Sequence, residues 1–497
     1  MKINNEILGN PLKKLAGDTA IYGLGTMVPR LLNYLLVPFY TRLVFNSAEY
    51  GQITELYAYV AMLLVLLTFG METAFFRYAN KSNNAKAVYN TSLSAISIVV
   101  LLFIFIVIIF LGDISSAIRY SGNSEYIMLI ALIVGIDAFT AIPFAWLRYE
   151  NKAKRFSIIR ILSVAINISF NLIFLILIPK FFPAQAESSI LYEGSNKIIF
   201  VFIANIIGSA STLILLWNEI KLFRFSIDNI LLKKLLAYSL PILVIGFAGM
   251  INEVADKILL KYFLTDQETA IEQVGIYGAS YKLAILMMLF IQMFRYAAEP
   301  FFFAEAKNKD AKKTYGQVMD WFVIFIWFIF LGVTLYLDIF KYLIGEEFWP
   351  GLSVVPIILA AKMFLGIFFN LSVWYKLTNK TLYGALIAIF GAIVTIVLNI
   401  ILIPKIGYMG SAWANFACYF SMMIISFFWG RKIYKVNYNL KKIFSYSLLG
   451  LTIYFGSIYF GGHEKLIQLA INSILLIVFL SFVAVSERKF LFNRRKE

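Results

Sequence analysis

Four basic residues stand inside long apolar stretches of this 497-residue chain: Arg30, Arg160, Lys282 and Lys362. A Lys or Arg at mid-bilayer depth costs about 2.5–3.5 kcal/mol on insertion scales, so it normally faces a bundle interior or a water-filled cavity. Arg30 lies roughly 16 Å into its stretch at 1.5 Å per residue, too deep for easy snorkelling. Pro29 and Pro38 flank it, which predicts a bent helix with locally open backbone. Asn33 and Tyr34 follow at i+3 and i+4 on the same face. Lys362 falls near mid-depth beyond Pro350, with Asn370 two turns on, and Lys282 sits in "GASYKLAIL". Arg160 is one turn from the end of its stretch, where snorkelling is the simpler reading. Several separate cationic groups suit a phosphate or pyrophosphate better than a single carboxylate. The chemistry these residues offer is therefore the binding of an anion. The competing reading for Arg30 is an internal ion pair with Glu55, Glu72 or Asp137.

The acids within or beside the apolar stretches are few. Glu253, Asp256 and Lys257 share one face and form either an interfacial ion-pair cluster or part of a cation relay. Asp137, with Glu253 and Asp256, is a candidate for a coupling ion, and Glu72 and Asp320 are equally suited to pairing with a buried base. Arg295 and Glu299 precede Pro300 at a spacing that permits a local salt bridge, and Arg295 is also a candidate phosphate ligand. The single cysteine, Cys418, and single histidine, His463, supply no metal-binding set. No nucleophile–base pair stands out, so neither an enzyme nor a cofactor is expected.

The elements that must position these residues are membrane helices. Hydrophobic residues make up 61% of the chain and charged residues 14%, well under the quarter usual for soluble proteins. Runs such as "SLSAISIVVLLFIFIVIIFLG" (92–112) and "DWFVIFIWFIFLGVTLYL" (320–337) are long enough to cross a hydrocarbon core. The pattern predicts an all-α polytopic membrane protein with about 14 transmembrane helices. The expected spans include 19–41, 236–256, 274–295, 352–374, 444–460 and 466–485. The first apolar run has no small-residue cleavage site after it and is expected to remain as a membrane helix. No loop exceeds about 20 residues, so no soluble domain is expected.

The net charge of +16 follows topology rather than a nucleic-acid partner. Loops on the N-terminal side, such as "RYENKAKR" (148–155), "KNKDAKK" (307–313) and "RKIYKVNYNLKK" (431–442), hold most of the Lys and Arg. By the positive-inside rule both termini are cytoplasmic. Leu-Lys-Lys recurs at 12–14, 232–234 and 440–442, each time at the threshold of an apolar run, where lysines reach anionic lipid. Longer echoes point to an internal repeat. "WLRYENK" (146–152) matches "WYKLTNK" (374–380), "FLILIPKF" (174–181) matches "IILIPKIG" (400–407), and "EYGQITELYAY" (49–59) matches "QVGIYGASYKL" (273–283). The expected organisation is two pseudo-symmetric six-helix lobes in parallel repeat, 1–225 and 226–435, facing a cleft, with two extra C-terminal helices in 436–497.

Three stretches carry a family resemblance. "ADKILLKYFLTDQETAIEQVGIYGASYKLA" (255–284), "GTMVPRLLNYLLVPFYTRLVFNSAEYGQITEL" (25–56) and "LNIILIPKIGYMGSAWANF" (398–416) resemble bacterial polysaccharide flippases of the Wzx type. These belong to the multidrug/oligosaccharidyl-lipid/polysaccharide (MOP) exporters. The resemblance implies alternating access and carriage of an undecaprenyl-pyrophosphate-linked glycan, such as an O-antigen unit of lipopolysaccharide, across the bacterial inner membrane. It implies polysaccharide polymerase machinery and membrane lipid as partners, and no nucleic acid. Relatives that flip peptidoglycan precursor use a first-helix arginine, in a place comparable to Arg30. They carry another where this chain has Leu36, which argues against that substrate. The drug antiporters of the superfamily have about 12 helices and lack a cationic cavity. A cation-coupled antiporter of small amphiphiles and a membrane glycosyltransferase or polymerase are the alternative readings.

Overall fold

A computed structural model describes residues 23–184, 189, 192, 194–266 and 269–488. The first Leu-Lys-Lys and Glu187 lie outside them. Helices dominate, and there is no strand among the described residues. Twelve helices there are long and apolar enough to cross a membrane. Two further expected spans are helical where described. One covers 23–34 and continues through Leu36–Phe39 into a π-helical turn at Tyr40–Val44. The other is Leu440–Tyr459, whose first turn carries Lys441 and Lys442. The backbone irregularity of the first span brackets Pro38, which supplies no N–H to the helical ladder.

One expected span is not a single rod. The stretch 274–295 is divided at Ala284 into Ala270–Leu283 and Ile285–Glu305. Neither Pro nor Gly stands at the break. The Ala284 N–H donates to the Tyr281 carbonyl at 3.2 Å, a tightened turn of the kind that marks a joint in a helix. By contrast, Asn229–Phe263 runs unbroken for 35 residues through Pro241, about 52 Å at 1.5 Å per residue. Asp228 Oδ1 accepts from the N–H groups of Ile230 and Leu231 at its start, and Asn439 Oδ1 accepts from Lys442 N at the start of Leu440–Tyr459. The third Leu-Lys-Lys thus forms the first turn of a capped helix, and the second runs from the first into the second turn of another.

Two compact units are distinguished by their internal packing. The first comprises the described part of 1–40 with Gln52–Val254. In it Ala85–Ile109 packs on Ser124–Tyr149, and Ala153–Leu172 on Ile199–Leu215. Phe75, Tyr89 and Trp146 form an aromatic core, Tyr89 and Trp146 with centroids 5.0 Å apart. Arg148 pairs with Glu72 across helices, so Glu72 is occupied there.

The second unit comprises Thr41–Gly51 and the described part of 255–497. Its core gathers Ala361, Leu365, Phe368, Ile387, Cys418, Tyr419 and Met422 from three long helices. Gly51 and Gly275 meet inside this unit. A Cβ on Gly51 would stand 1.9 Å from the Ile271 carbonyl oxygen, and one on Gly275 would stand 1.9 Å from that of Ser47. In the register of the sequence echo Gly51 matches Gly275 and Ser47 matches Ile271, so the two contacts mirror each other. Ser47 also donates its N–H and hydroxyl to Glu347 Oε1, at 3.1 and 2.6 Å.

The last two helices are fastened to Ala311–Thr334. Lys442 lies 3.6 Å from Asp320 Oδ2 and 2.5 Å from Glu487 Oε1, and the Tyr446 hydroxyl donates to Glu487 at 2.6 Å. Asp320 is thereby accounted for as a structural ion-pair partner. Farther along, Trp327 Nε1 donates to Ser447 Oγ, and the Asn472 amide donates to the Leu335 carbonyl.

"WLRYENK" and "WYKLTNK" fold alike. Asn151 and Asn379 both take positive φ, 57° and 56°, which asparagine tolerates better than most side chains. Lys152 N donates to Leu147 O at 2.9 Å, and Lys380 N to Tyr375 O at 2.8 Å. The basic residue two places after each tryptophan meets a glutamate from an earlier helix: Arg148 meets Glu72 and Lys376 meets Glu299.

Candidate functional site

Around Lys362 the sequence folds a charged group into the interior of the second unit. Val355–Leu371 presents Ile358, Ala361, Leu365 and Phe368 to the core, and Lys362 follows on that buried face at 1% exposure. Its Nζ stands 4.9 Å from the ring centroids of both Tyr281 and Tyr419. An ammonium over a tyrosine face is attracted by the ring quadrupole, by about 2 kcal/mol when desolvated. Tyr281 receives a second cation on its ring, Lys257 Nζ at 3.9 Å.

Lys257 in turn approaches Asp256 Oδ1 at 2.9 Å, and the Tyr277 hydroxyl donates to Asp256 Oδ2 at 2.6 Å. Tyr277 and Tyr281 are four residues apart on Ala270–Leu283, so one helix face delivers both phenols. Lys261, also buried, follows Lys257 by one turn. Asp256 is 1% exposed and engaged by an ammonium, a phenol and the Lys257 backbone N–H at 2.9 Å. Of the two readings the sequence left open, this arrangement has the character of an ion-pair cluster. The pairing joins sequence neighbours, which the flexible lysine stem permits even though their Cβ atoms diverge on a helix.

The first unit holds a different polar group at the matching place. In the register of the echo Tyr57 corresponds to Tyr281. The Tyr57 hydroxyl accepts from Asn205 Nδ2 at 2.7 Å, and Asp137 acts on it electrostatically. Asp137 has a hydrogen bond from Ser209 and the charge of Arg160 for company. Arg160 lies over the Phe144 ring at 3.9 Å. It is tied into this cluster through Asp137 and Phe144. One position of the repeated pattern is therefore surrounded by an acid–base pair in one unit and by two lysines in the other.

The remaining candidates are dispersed. Arg30 and Asn33 are exposed on the helix 23–34, while Pro29 is buried. Glu55, one of the acids considered for Arg30, accepts from the Tyr120 hydroxyl at 2.8 Å. Lys282 is exposed in the last turn before the Ala284 joint. Glu253 is half-buried on Asn229–Phe263, in the first unit, whereas Asp256 belongs to the second. Arg295 approaches Glu299 at 3.7 Å and lies 4.9 Å from the Phe369 ring, but the closer partner of Glu299 is Lys376. The structure thus links Asp256 to Lys362 through Tyr277, Lys257 and Tyr281, whereas Arg295 faces Glu299 and Phe369. Tyr277, Tyr281, Tyr419 and Lys261 were not singled out from sequence. Their only local signal is the i,i+4 pairing of Tyr277 with Tyr281 and of Lys257 with Lys261.

Comparison with known proteins places this geometry in context. The profile of the family described as "Polysaccharide biosynthesis protein" matches residues 15–304. A search of curated proteins returns no match. Among solved structures, the lipid II flippase MurJ in its inward closed conformation is similar with a TM-score of 0.71 and 15% identity. The similarity covers 95% of this chain and 100% of that one. A multidrug resistance MATE family transporter of the MOP superfamily follows in its inward-facing conformation, with a TM-score of 0.59 and 15% identity over 83% of this chain and 94% of that one. The outward-facing form gives 0.58 at 16% identity, over 85% and 95%. At these identities the likeness is one of fold. With more than half its length matched, the chain belongs to the polysaccharide biosynthesis protein family and is a multi-pass membrane protein with the transporter fold of the MOP superfamily.

Proposed function

We propose that this protein is a flippase for an undecaprenyl-pyrophosphate-linked oligosaccharide, the repeat unit of an O-antigen or another surface polysaccharide, in the bacterial inner membrane. The observation that carries the reading is the buried Lys362, held over Tyr281 and Tyr419 beside Lys257. A pyrophosphate entering this group would exchange ring faces for charge-assisted hydrogen bonds, which are roughly twice as strong as neutral ones. Arg30 on the first helix would bind the same head, with Lys282, Arg295 and Asn33 contributing. The lobes would be 1–225 and 226–435, and helices within 436–497 would accompany the polyprenyl tail. Both termini would face the cytoplasm, and polysaccharide polymerase machinery would receive the product. Should an ion be coupled, its carboxylate would come from Asp137, Glu253 or Asp256; Asp256 is engaged by Lys257 and Tyr277, and Asp137 by Ser209 and Arg160.

The test is flipping of a fluorescent polyprenyl-pyrophosphate oligosaccharide in proteoliposomes. Losing one charge-assisted bond to phosphate costs about 1.5–3 kcal/mol, so Lys362→Met is expected to lower the rate at subsaturating substrate by about 10- to 150-fold. Lys362→Arg is expected to keep part of it. Wild-type flipping by Lys362→Met would remove Lys362 from the site.

A further inference from the structure

A second polar site lies within the second unit, at the end of its helices away from the Lys441–Lys442 turn. A cavity of ≈ 810 Å³ opens where the C-terminal ends of Ala311–Thr334 and Leu440–Tyr459 meet the N-terminal end of Lys465–Ser486. That volume is within the range of small-ligand sites, about 300–1,000 Å³. Its wall carries two ammonium groups on one aromatic ring. Lys465 Nζ stands 4.7 Å from the Tyr342 centroid and 3.1 Å from the Tyr342 hydroxyl, and Lys341 Nζ stands 5.9 Å from the same centroid and 4.9 Å from that of Trp349. His463 adds an imidazole at the mouth.

Among the described residues, the one carboxylate lining that wall is Asp338, 2.6 Å from Lys341 Nζ and itself 63% exposed. An ion pair so exposed is easily exchanged for a better anion. Deeper in, Gln468 donates its amide to Asn472 Oδ1 at 3.1 Å, while its buried Oε1 accepts no hydrogen bond. A buried carbonyl oxygen left without a donor is uncommon and invites a hydroxyl. Around the mouth Tyr459, Phe460, Leu466 and Ile467 are exposed, an apolar rim suited to hydrocarbon.

From this combination we infer that the cavity binds the headgroup of an anionic membrane lipid. Lys341 and Lys465 hold the phosphate, Gln468 turns its Oε1 toward the cavity to accept from a headgroup hydroxyl, and the chains lie along the apolar rim. A phosphodiester glycerophospholipid and a polyprenyl phosphate share the phosphate chemistry. Of these, a diester with a glycerol headgroup, such as phosphatidylglycerol, brings the free hydroxyl.

Native mass spectrometry of the full-length protein, after exchange into detergent with equal amounts of phosphatidylglycerol, phosphatidic acid, phosphatidylcholine and polyprenyl phosphate, tests the assignment. The wild type is expected to retain phosphatidylglycerol over phosphatidylcholine by about 30-fold, as two near-surface lysines would give. Lys341→Ala with Lys465→Ala should bring the ratio close to one, and Lys341→Arg with Lys465→Arg should keep it. Gln468→Leu should lower phosphatidylglycerol to the level of phosphatidic acid while leaving the latter unchanged. Retention of polyprenyl phosphate alone, lost in the double alanine variant, assigns the site to the carrier lipid and upholds the phosphate contact. An undiminished preference for the retained anionic lipid in the double alanine variant, or a wild type that retains none of the anionic lipids over phosphatidylcholine, overturns the inference. An unchanged phosphatidylglycerol-to-phosphatidic-acid ratio in Gln468→Leu overturns the hydroxyl contact.

Discussion

Gly275→Ala sets two physical effects of opposite sign against each other. Within a helix, alanine is favoured over glycine by about 1 kcal/mol. At Gly275, however, the new Cβ would stand 1.9 Å from Ser47 O and 2.9 Å from Gly51 N. Ordinary contact begins near 3.4 Å, so the two backbones must part by about 1.5 Å, and overpacking of this kind typically costs 1–3 kcal/mol. Both neighbours are backbone atoms and cannot swing aside. The expected net effect is a loss of up to about 2 kcal/mol, or a fall of a few degrees in the melting midpoint. Gly51→Ala should behave alike, since its Cβ would meet Ile271 O at 1.9 Å. Together the two should cost less than their sum, because the first substitution already opens the contact. Gly249→Ala is the control. It lies inside Asn229–Phe263 with nothing within 4 Å and should leave the midpoint unchanged or raise it. Thermal unfolding of the purified protein in detergent measures all four. If Gly275→Ala melts at or above the wild type, as Gly249→Ala should, the glycine crossing contributes nothing and the reasoning fails.

Arg30→Ala should abolish surface glycan export at normal membrane levels, a loss of about 2 kcal/mol of substrate interaction, and Arg30→Lys should recover only part because an ammonium lacks the bidentate fork. Normal export by Arg30→Ala would exclude it as a phosphate ligand. Lys442→Met leaves Asp320 and Glu487 without their shared counter-charge and should cost about 3 kcal/mol, read as earlier proteolysis of the last two helices. Wild-type protease resistance would show that the bridge is dispensable. Reporter fusions at Asn151 and Lys309 should read cytoplasmic, and fusions at Glu187 and Glu346 external. Reversal at any two of these sites would refute the orientation.

Apolar run length made most of the helices legible, because a membrane span must satisfy its backbone internally and leaves little choice of element. The shared turn of "WLRYENK" and "WYKLTNK" was visible because an αL asparagine and its flanking helix ends are local features. That Lys362 stands inside an apolar helix was visible for the same reason. Its companions were not. Tyr419 lies 57 residues beyond it and Tyr281 stands 81 before it, and no local pattern records which helix faces meet. The spacing of Arg295 and Glu299 suggested a sufficient local pair, yet Lys376 from another helix takes the closer place. Tertiary contact outweighed a correct local rule. The joint at Ala284 carried no Pro or Gly to announce it.

That joint has a mechanical consequence. It stands immediately after the segment that bears Tyr277, Tyr281 and Lys282, and before Ile285–Glu305, which carries Glu299 near its far end. The latter helix, 21 residues long, is a lever of about 32 Å. A swivel of about 10° at Ala284 would sweep its tip through about 5 Å, close to one helical turn. Packed helices change register in steps of that size. A small rearrangement at the tyrosines would thus be geared up into a shift of about 4 Å at Glu299, 14 residues along the rod, and into repacking around the Glu299–Lys376 pair.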